Sequence, residues 1–328
     1  MPPTILESGQ EQRIGILTNP LSGTNRRGMG TISQTISKYP WALHKNVQTP
    51  QDIHEALFDF ASHNVDLVVI SGGDGTVQAV LTVLFNNQPF ATQPQLVVLE
   101  AGTTNMIAGD VGTLGDQNKA LRRLFQWVQT GSGIITKIKR PVLRLQVPGY
   151  EVKYGMFFGA ASISQGIQYY QRNLHNKGLR GFPGICLTLA RYLWTTIRRH
   201  SQSATAFRID YGLNGQPLQK ENFLLLFVST LNRLFFGLRP FWGREKGPLR
   251  FTAVSSPAKH LLRVLPSLAR GRRTDKGTEE NGYYSSNVEE VKLFLDSSVA
   301  LDGEIYTPET IHQPTVLECG GTATFLRL

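Results

Sequence analysis

Cysteine is scarce: Cys186 and Cys319 are the only two in 328 residues. A single pair can form at most one disulfide and cannot build a zinc cluster, so a disulfide scaffold and a structural zinc module are both excluded. A reducing, cytoplasmic setting is expected. Long apolar runs are also missing. No stretch reaches ~18 consecutive apolar residues, and the best candidate, Ile185 to Ile197, is interrupted by Arg191. No transmembrane helix is therefore expected. Met1 to Gln12 is polar, without the apolar centre of a secretory leader. Acidic residues are fewer than basic ones, 24 against 34, for a net charge of +10. An excess of that size points to an anionic partner: nucleic acid, a lipid surface or a phosphorylated ligand. There is no Gly-x-x-x-x-Gly-Lys-Ser/Thr, which disfavours P-loop enzymes, and no Gly-x-Gly-x-x-Gly opening a helix, which disfavours dinucleotide dehydrogenases. The seven histidines show no metal-ligand spacing.

What is present is a globular composition, 41% hydrophobic and 18% charged, at a length that suits two domains. Arg13 to Thr18 reads as a short β-type run, and Asp66 to Ile70 and Leu96 to Leu99 as strands buried in a parallel sheet. Between and after them lie helical patterns at 26–38, from Thr49-Pro50 onward, after Val77, and from Asp116 to Thr130. This alternation predicts a doubly wound, Rossmann-like α/β domain over 1–138. Beyond it, short β-like runs split by turns such as Asn214-Gly215 and Asp302-Gly303 predict a β-rich, sandwich-like domain over 139–328. Helical inserts are expected near 182–200 and 258–270.

Two turns follow the buried strands: Ser71-Gly72-Gly73-Asp74-Gly75-Thr76 and Ala101-Gly102-Thr103-Thr104-Asn105. Both fall at the carboxyl edge of the sheet, where open α/β sheets bind ligands. Three glycines let backbone approach an anion, and the start of a helix aims free N–H groups at a phosphate. Asp74 is the odd member. A carboxylate beside phosphates is repulsive unless a cation or proton intervenes, so it suggests Mg²⁺ or acid/base work; an ordinary helix cap is the structural alternative.

Ser71-Gly72-Gly73-Asp74-Gly75-Thr76-Val77-Gln78, with Thr18-Asn19-Pro20-Leu21-Ser22-Gly23 upstream and Ala101 to Asn105 downstream, resembles the diacylglycerol kinase catalytic-domain family, which includes bacterial lipid kinases, sphingosine kinases and ceramide kinases. The resemblance extends to Leu301-Asp302-Gly303-Glu304. It implies an α/β nucleotide domain followed by a β-rich domain, with the active site in the cleft. It further implies ATP and Mg²⁺ as cofactors. Asn19 and Thr49 would contact ATP, Gly72, Gly73, Asp74, Gly75, Thr76, Val77 and Gln78 would hold the phosphates, and Thr103 would lie near them. Asp74 would face the metal, and Glu304 would be the general base that takes the lipid hydroxyl's proton. Two positions depart from the pattern: Met106 stands where many relatives have aspartate, with Asp110 one helical turn on as a substitute, and Glu100 where proline is common. NAD kinases and phosphofructokinases share a Gly-Gly-Asp-Gly turn, but the Gly-Ser-Thr-Ala-Tyr segment of NAD kinases is absent.

The resemblance names a lipid alcohol as substrate: diacylglycerol-like, or a sphingoid base, ceramide or phosphatidylglycerol. Basic, aromatic stretches at 179–200, 234–242 and 259–273 suit contact with an anionic membrane surface, giving peripheral association and no expected role for nucleic acid. The rival reading is a non-catalytic module that senses nucleotide or lipid.

Overall fold

The computed structural model describes residues 4–6, 12–102, 104–169 and 206–328. It divides into two compact units, residues 1–142 together with 321–328, and residues 143–320.

In the first unit, β1 (Thr4–Leu6) pairs antiparallel with the start of β6 (Ile135–Gln146). The main sheet is parallel. It contains β2 (Ile14–Thr18), β3 (Leu43–Asn46), β4 (Leu67–Gly72) and β5 (Gln95–Glu100), in the spatial order β3-β2-β4-β5, with the end of β16 (Thr315–Arg327) beside β5 through Phe325 and Leu96. Every residue of β2 and β4 is buried, as parallel strands covered on both faces require.

The helices form where sequence chemistry starts them. α2 (Pro50–Ser62) begins at a capping box: the Thr49 hydroxyl accepts the Asp52 N–H, and the Asp52 carboxylate accepts the Thr49 N–H. Its buried stripe of Ile53, Ala56, Leu57 and Phe60 lies on the sheet. Phe60 comes so close to β2 that a Cβ at Gly15 would stand 2.5 Å from its ring. Burying a ring of this size stabilises by about 2–3 kcal/mol. α1 (Asn25–Ile36) and α5 (Gln117–Thr130) pack together on one cluster with Trp127 at its centre; Asp116 caps α5, and Gly131 ends it in the left-handed conformation. α3 (Asp74–Asn86) follows β4 directly. A six-residue helix, α4 (Met106–Val111), follows the second glycine turn and had no counterpart in the sequence reading.

The second unit is antiparallel. β10 (Gln219–Ser229) is its spine, paired with β9 (Phe207–Leu213), β8 (Phe157–Ala161) and β11 (Leu249–Ser255). β12 (Tyr283–Val288) extends β11, β13 (Glu290–Phe294) joins β9 to the start of β16, and β7 (Lys153–Gly155) pairs with β6. β14 (Val299–Leu301) and β15 (Glu304–Tyr306) form a hairpin beside β8. α6 (Ser162–Tyr169) follows β8, and α7 (Leu261–Leu268) occupies the insert expected near 258–270. The insert expected near 182–200 lies outside the described residues. The predicted division at 138 differs from the observed one in two respects. The junction falls at Val142–Leu143, and residues 321–328 return to the first unit. A strand thirteen residues long can pair with different strands along its length, and nothing in its own composition marks the change of partner.

Candidate active site

The order β3-β2-β4-β5 puts the reversal of winding between β2 and β4. That switch point is where a doubly wound sheet opens a crevice at the carboxyl ends of its strands. The segments leaving β2 and β4 there are Asn19 to Thr24 and Gly73 to Thr76.

A hydrogen-bond network ties these segments together. The Asn19 Nδ2 donates to Thr76 Oγ1 at 2.9 Å, its Oδ1 accepts the Leu21 N–H at 2.9 Å, and its own N–H donates to the Ser71 carbonyl at 2.9 Å. Behind it lies a fully buried amide, Asn25. Its Nδ2 reaches the carbonyls of Asn19 (2.9 Å) and Ser71 (3.1 Å), while Gln117 Nε2 donates to its Oδ1 at 3.1 Å. Ser71 Oγ donates to Gln117 Oε1 at 2.6 Å. Buried polar groups of this kind fix one geometry because each unmade bond is costly. Asn25, Gln117 and Ser22, whose hydroxyl accepts the Gly73 N–H at 3.2 Å, are absent from the site inferred from sequence. Each stands among mostly polar or small neighbours along the chain, so no pattern in the sequence singles it out.

The two glycine turns touch. A Cβ at Gly102 would stand 2.6 Å from the Gly73 Cα and 2.9 Å from Asn105 Oδ1. Only backbone without side chains allows that approach. At Gly72 a Cβ would meet Thr76 at 2.6 Å. Asn105 is left-handed, with φ 49°, and folds its amide back onto Gly102: Oδ1 accepts the Gly102 N–H at 2.7 Å, and Nδ2 donates to the Gly102 carbonyl and to Glu100 Oε1. Glu100 Oε2 accepts the Gly115 N–H at 2.9 Å. The glutamate that stands where relatives have proline thus braces the second turn. Gly102→Ala is expected to push the turns apart. Overpacking against backbone costs about 1–3 kcal/mol, so the melting temperature is expected to fall; a variant that melts as the wild type does would show that the contact does not hold the two turns.

Asp74 does not act as an open metal ligand in this arrangement. Its Oδ2 accepts the Met106 N–H at 3.1 Å and its Oδ1 accepts the Ile107 N–H at 3.0 Å, so it caps α4 across the two turns. Burial pushes its pKa up, opposed by these two N–H bonds. Met106 is itself buried, and Asp110 forms an ion pair with Arg140 Nε at 2.9 Å.

The N-terminus of α3 carries no side-chain cap, because its N-cap residue is Gly73. The Gly73 carbonyl accepts the N–H groups of Thr76 and Val77. Those of Asp74 and Gly75 have no intrahelical acceptor, as at any helix start. An uncapped helix tip at a switch point is an anion site. Val77 and Gln78 are buried in the body of α3, so their side chains belong to the core side of the helix. Thr49 is exposed and its hydroxyl serves as the α2 cap. Thr103 lies outside the described residues.

Glu304, in the second unit, is exposed on β15. The turn before it is a two-residue hairpin with Asp302 at φ 48° and Gly303 at φ 97°. The Asp302 carboxylate accepts the N–H groups of Met156 and Phe157, both at 2.9 Å, and so pins the hairpin to β8.

Residues 13–132 match the family model for the diacylglycerol kinase catalytic domain. This segment belongs to that family. Three crystal structures from Bacillus anthracis str. Sterne share the fold. One assigned as a diacylglycerol kinase has a TM-score of 0.65 at 18% identity. A second so assigned has 0.62 at 17%, and one named as a diacylglycerol kinase has 0.58 at 16%. Each match covers 96% of this chain and 96% of the other. A comparison with curated proteins returned no match. The matched segment includes both glycine turns, 71–76 and 101–105, and the match supports a kinase-type phosphotransferase.

Whether the residues suit the family's cofactors is a separate matter. ATP fits: the uncapped α3 tip offers the N–H groups of its first turn to phosphate, and the two glycine turns touch so closely that a Cβ at Gly102 would meet the Gly73 backbone. A protein-built metal site does not fit. Among the described residues no three His, Cys, Asp or Glu side chains come together, and Asp74 and Glu100 at this edge each already hold two donors. No helix among the described residues is long and apolar enough to cross a membrane.

Proposed function

We propose that this chain, whose residues 13–132 match the diacylglycerol kinase catalytic domain, is an ATP-dependent lipid kinase that transfers the γ-phosphate to the hydroxyl of a diacylglycerol-like lipid. The observation that carries the reading is the uncapped tip of α3, set at the sheet's switch point and closed by the Gly73–Gly102 contact. Its N–H groups at Asp74 and Gly75 would hold nucleotide phosphate, while Asn19 fixes Thr76 at the cradle's rim. Glu304 is the proposed base. It accepts the proton of the lipid hydroxyl as that oxygen attacks the γ-phosphorus, the bond to the bridging oxygen breaks, and ADP leaves. Mg²⁺ belongs to this proposal only as the counter-ion of the nucleotide phosphates, and no step is assigned to it. The work is positioning and electrostatic, as in phosphoryl transfer generally.

Purified protein incubated with [γ-³²P]ATP, Mg²⁺ and micelles of diacylglycerol, sphingosine, ceramide or phosphatidylglycerol is expected to label the diacylglycerol. Label on another lipid of the panel would move the substrate and keep the activity; no label on any would sink the reading. The second reading, a non-catalytic sensor, is favoured by one observation: Met106, buried at the start of α4, replaces the carboxylate of the family pattern. Calorimetry separates the two, since a sensor binds ATP without the slow heat of turnover.

A further inference from the structure

We propose that the ridge made by residues 234–241 and α7, in the second unit, docks on an anionic lipid bilayer with Phe236 and Leu262 entering the acyl boundary. This deepens the lipid-kinase reading, on which it rests, by naming the surface that meets the substrate's membrane. Charge locates it first. Residues 233–273 hold ten Lys and Arg against one acidic residue, Glu245, a net +9 in a chain whose total is +10. Arg239, Lys259, Arg263, Arg270 and Arg272 among them are exposed.

Geometry supplies the apolar part. Phe236 is 78% exposed at the tip of a tight turn closed by the Leu234 N–H to the Leu238 carbonyl at 2.8 Å. Its φ of 54° lies in the left-handed region, which a bulky side chain occupies only when the surroundings hold it there. The turn is strapped to the end of α7. The Arg239 N–H donates to the Ala269 carbonyl at 3.0 Å, and a Cβ at Gly271 would stand 2.6 Å from the Arg239 oxygen. α7 buries Val264 and Leu268 against Leu224, Val254 and Tyr283, which turns Leu262, 59% exposed, to the opposite face. Where the strap ends, a cavity of about 230 Å³ opens between Trp242, Arg244, Arg273, Thr278 and Ser285, with Glu245 at its side. An aromatic and an aliphatic side chain, both protruding, with exposed Arg239, Lys259, Arg263 and Arg270 on the same stretch of chain, match the acyl boundary and the phosphate layer of an anionic bilayer. A nucleic acid would engage the phenylalanine by stacking but gains nothing from Leu262.

The test uses the full chain without ATP, sedimented with vesicles of phosphatidylcholine alone or mixed with phosphatidylserine. Binding is expected to need phosphatidylserine and to weaken with salt. Phe236→Ser and Leu262→Ser are each expected to lower the partition coefficient by about tenfold, and Arg239→Ala and Arg270→Ala each by about fivefold. Melting temperature and turnover on a water-soluble short-chain diacylglycerol stay unchanged in all four. Wild-type sedimentation of the Phe236 and Leu262 variants overturns the proposal. So does an oligonucleotide that displaces the vesicles and whose own binding falls in the arginine variants alone. Failure of the kinase reading looks different: no transfer to the soluble acceptor, with vesicle binding intact.

Discussion

Asp74→Asn is expected to lower phosphate transfer by at least about 10²-fold without unfolding the protein. The carboxylate accepts the N–H groups of Met106 and Ile107 at once. Asparagine offers one acceptor oxygen and turns an NH₂ toward the other N–H, which leaves a donor unpaired. α4 then shifts, and with it Gly102 and Asn105 in the turn proposed to flank the nucleotide phosphates. Stability should behave differently from activity. Burial raises the Asp74 pKa in the folded state. A raised carboxylate pKa means that the folded protein binds the proton more tightly than the unfolded chain. Wild type therefore carries a growing penalty as pH rises from about 4, near the unperturbed value. The asparagine variant has no such group. Its stability deficit relative to wild type is thus widest near pH 4 and narrows toward pH 7. Thermal melting of both proteins across that range, beside transfer assays at pH 7, checks both halves. Wild-type turnover would mean that the tie between the two turns does not matter to the chemistry.

The legible parts of the fold and site were those that repeat locally. β4 and β5 are runs of buried residues, and the glycine turn after β4 is marked by three glycines in five positions, 71–75. The start of α2 is written in four residues, Thr49 to Asp52. The remainder was not legible because it depends on partners distant in sequence. α4 is too short for an apolar stripe to show a helical period. Asp74 reads as a metal ligand or an acid, with a cap as the alternative, and its capping bonds show only once Met106 and Ile107 stand beside it. Asn25, Ser71 and Gln117 meet across 46 and 92 residues, a separation that no window along the chain can span. Glu100 looked like a simple departure from the family pattern until its two oxygens were found bracing Asn105 and Gly115.

Glu304→Gln is expected to reduce turnover by about 10²–10⁴-fold, the range a positioned general base supplies, while the KM for ATP and the melting temperature hold. The argument turns on how labour is divided in the segment Asp302-Gly303-Glu304. Asp302 and Gly303 make the reversal, since both adopt positive φ, and the buried Asp302 carboxylate holds the hairpin by its bonds to Met156 and Phe157. Glu304 is exposed and lies just past the turn, so the hairpin closes without its charge. Glutamine keeps its shape and removes its basicity. Asp302→Asn provides the contrast: losing one of two buried acceptors should cost about 1–3 kcal/mol and lower the melting temperature along with activity. A base and a brace two residues apart are thereby distinguished by whether turnover falls alone or together with stability. Should Glu304→Gln transfer phosphate at the wild-type rate, the proton leaves by another route and Glu304 has no part in the chemistry.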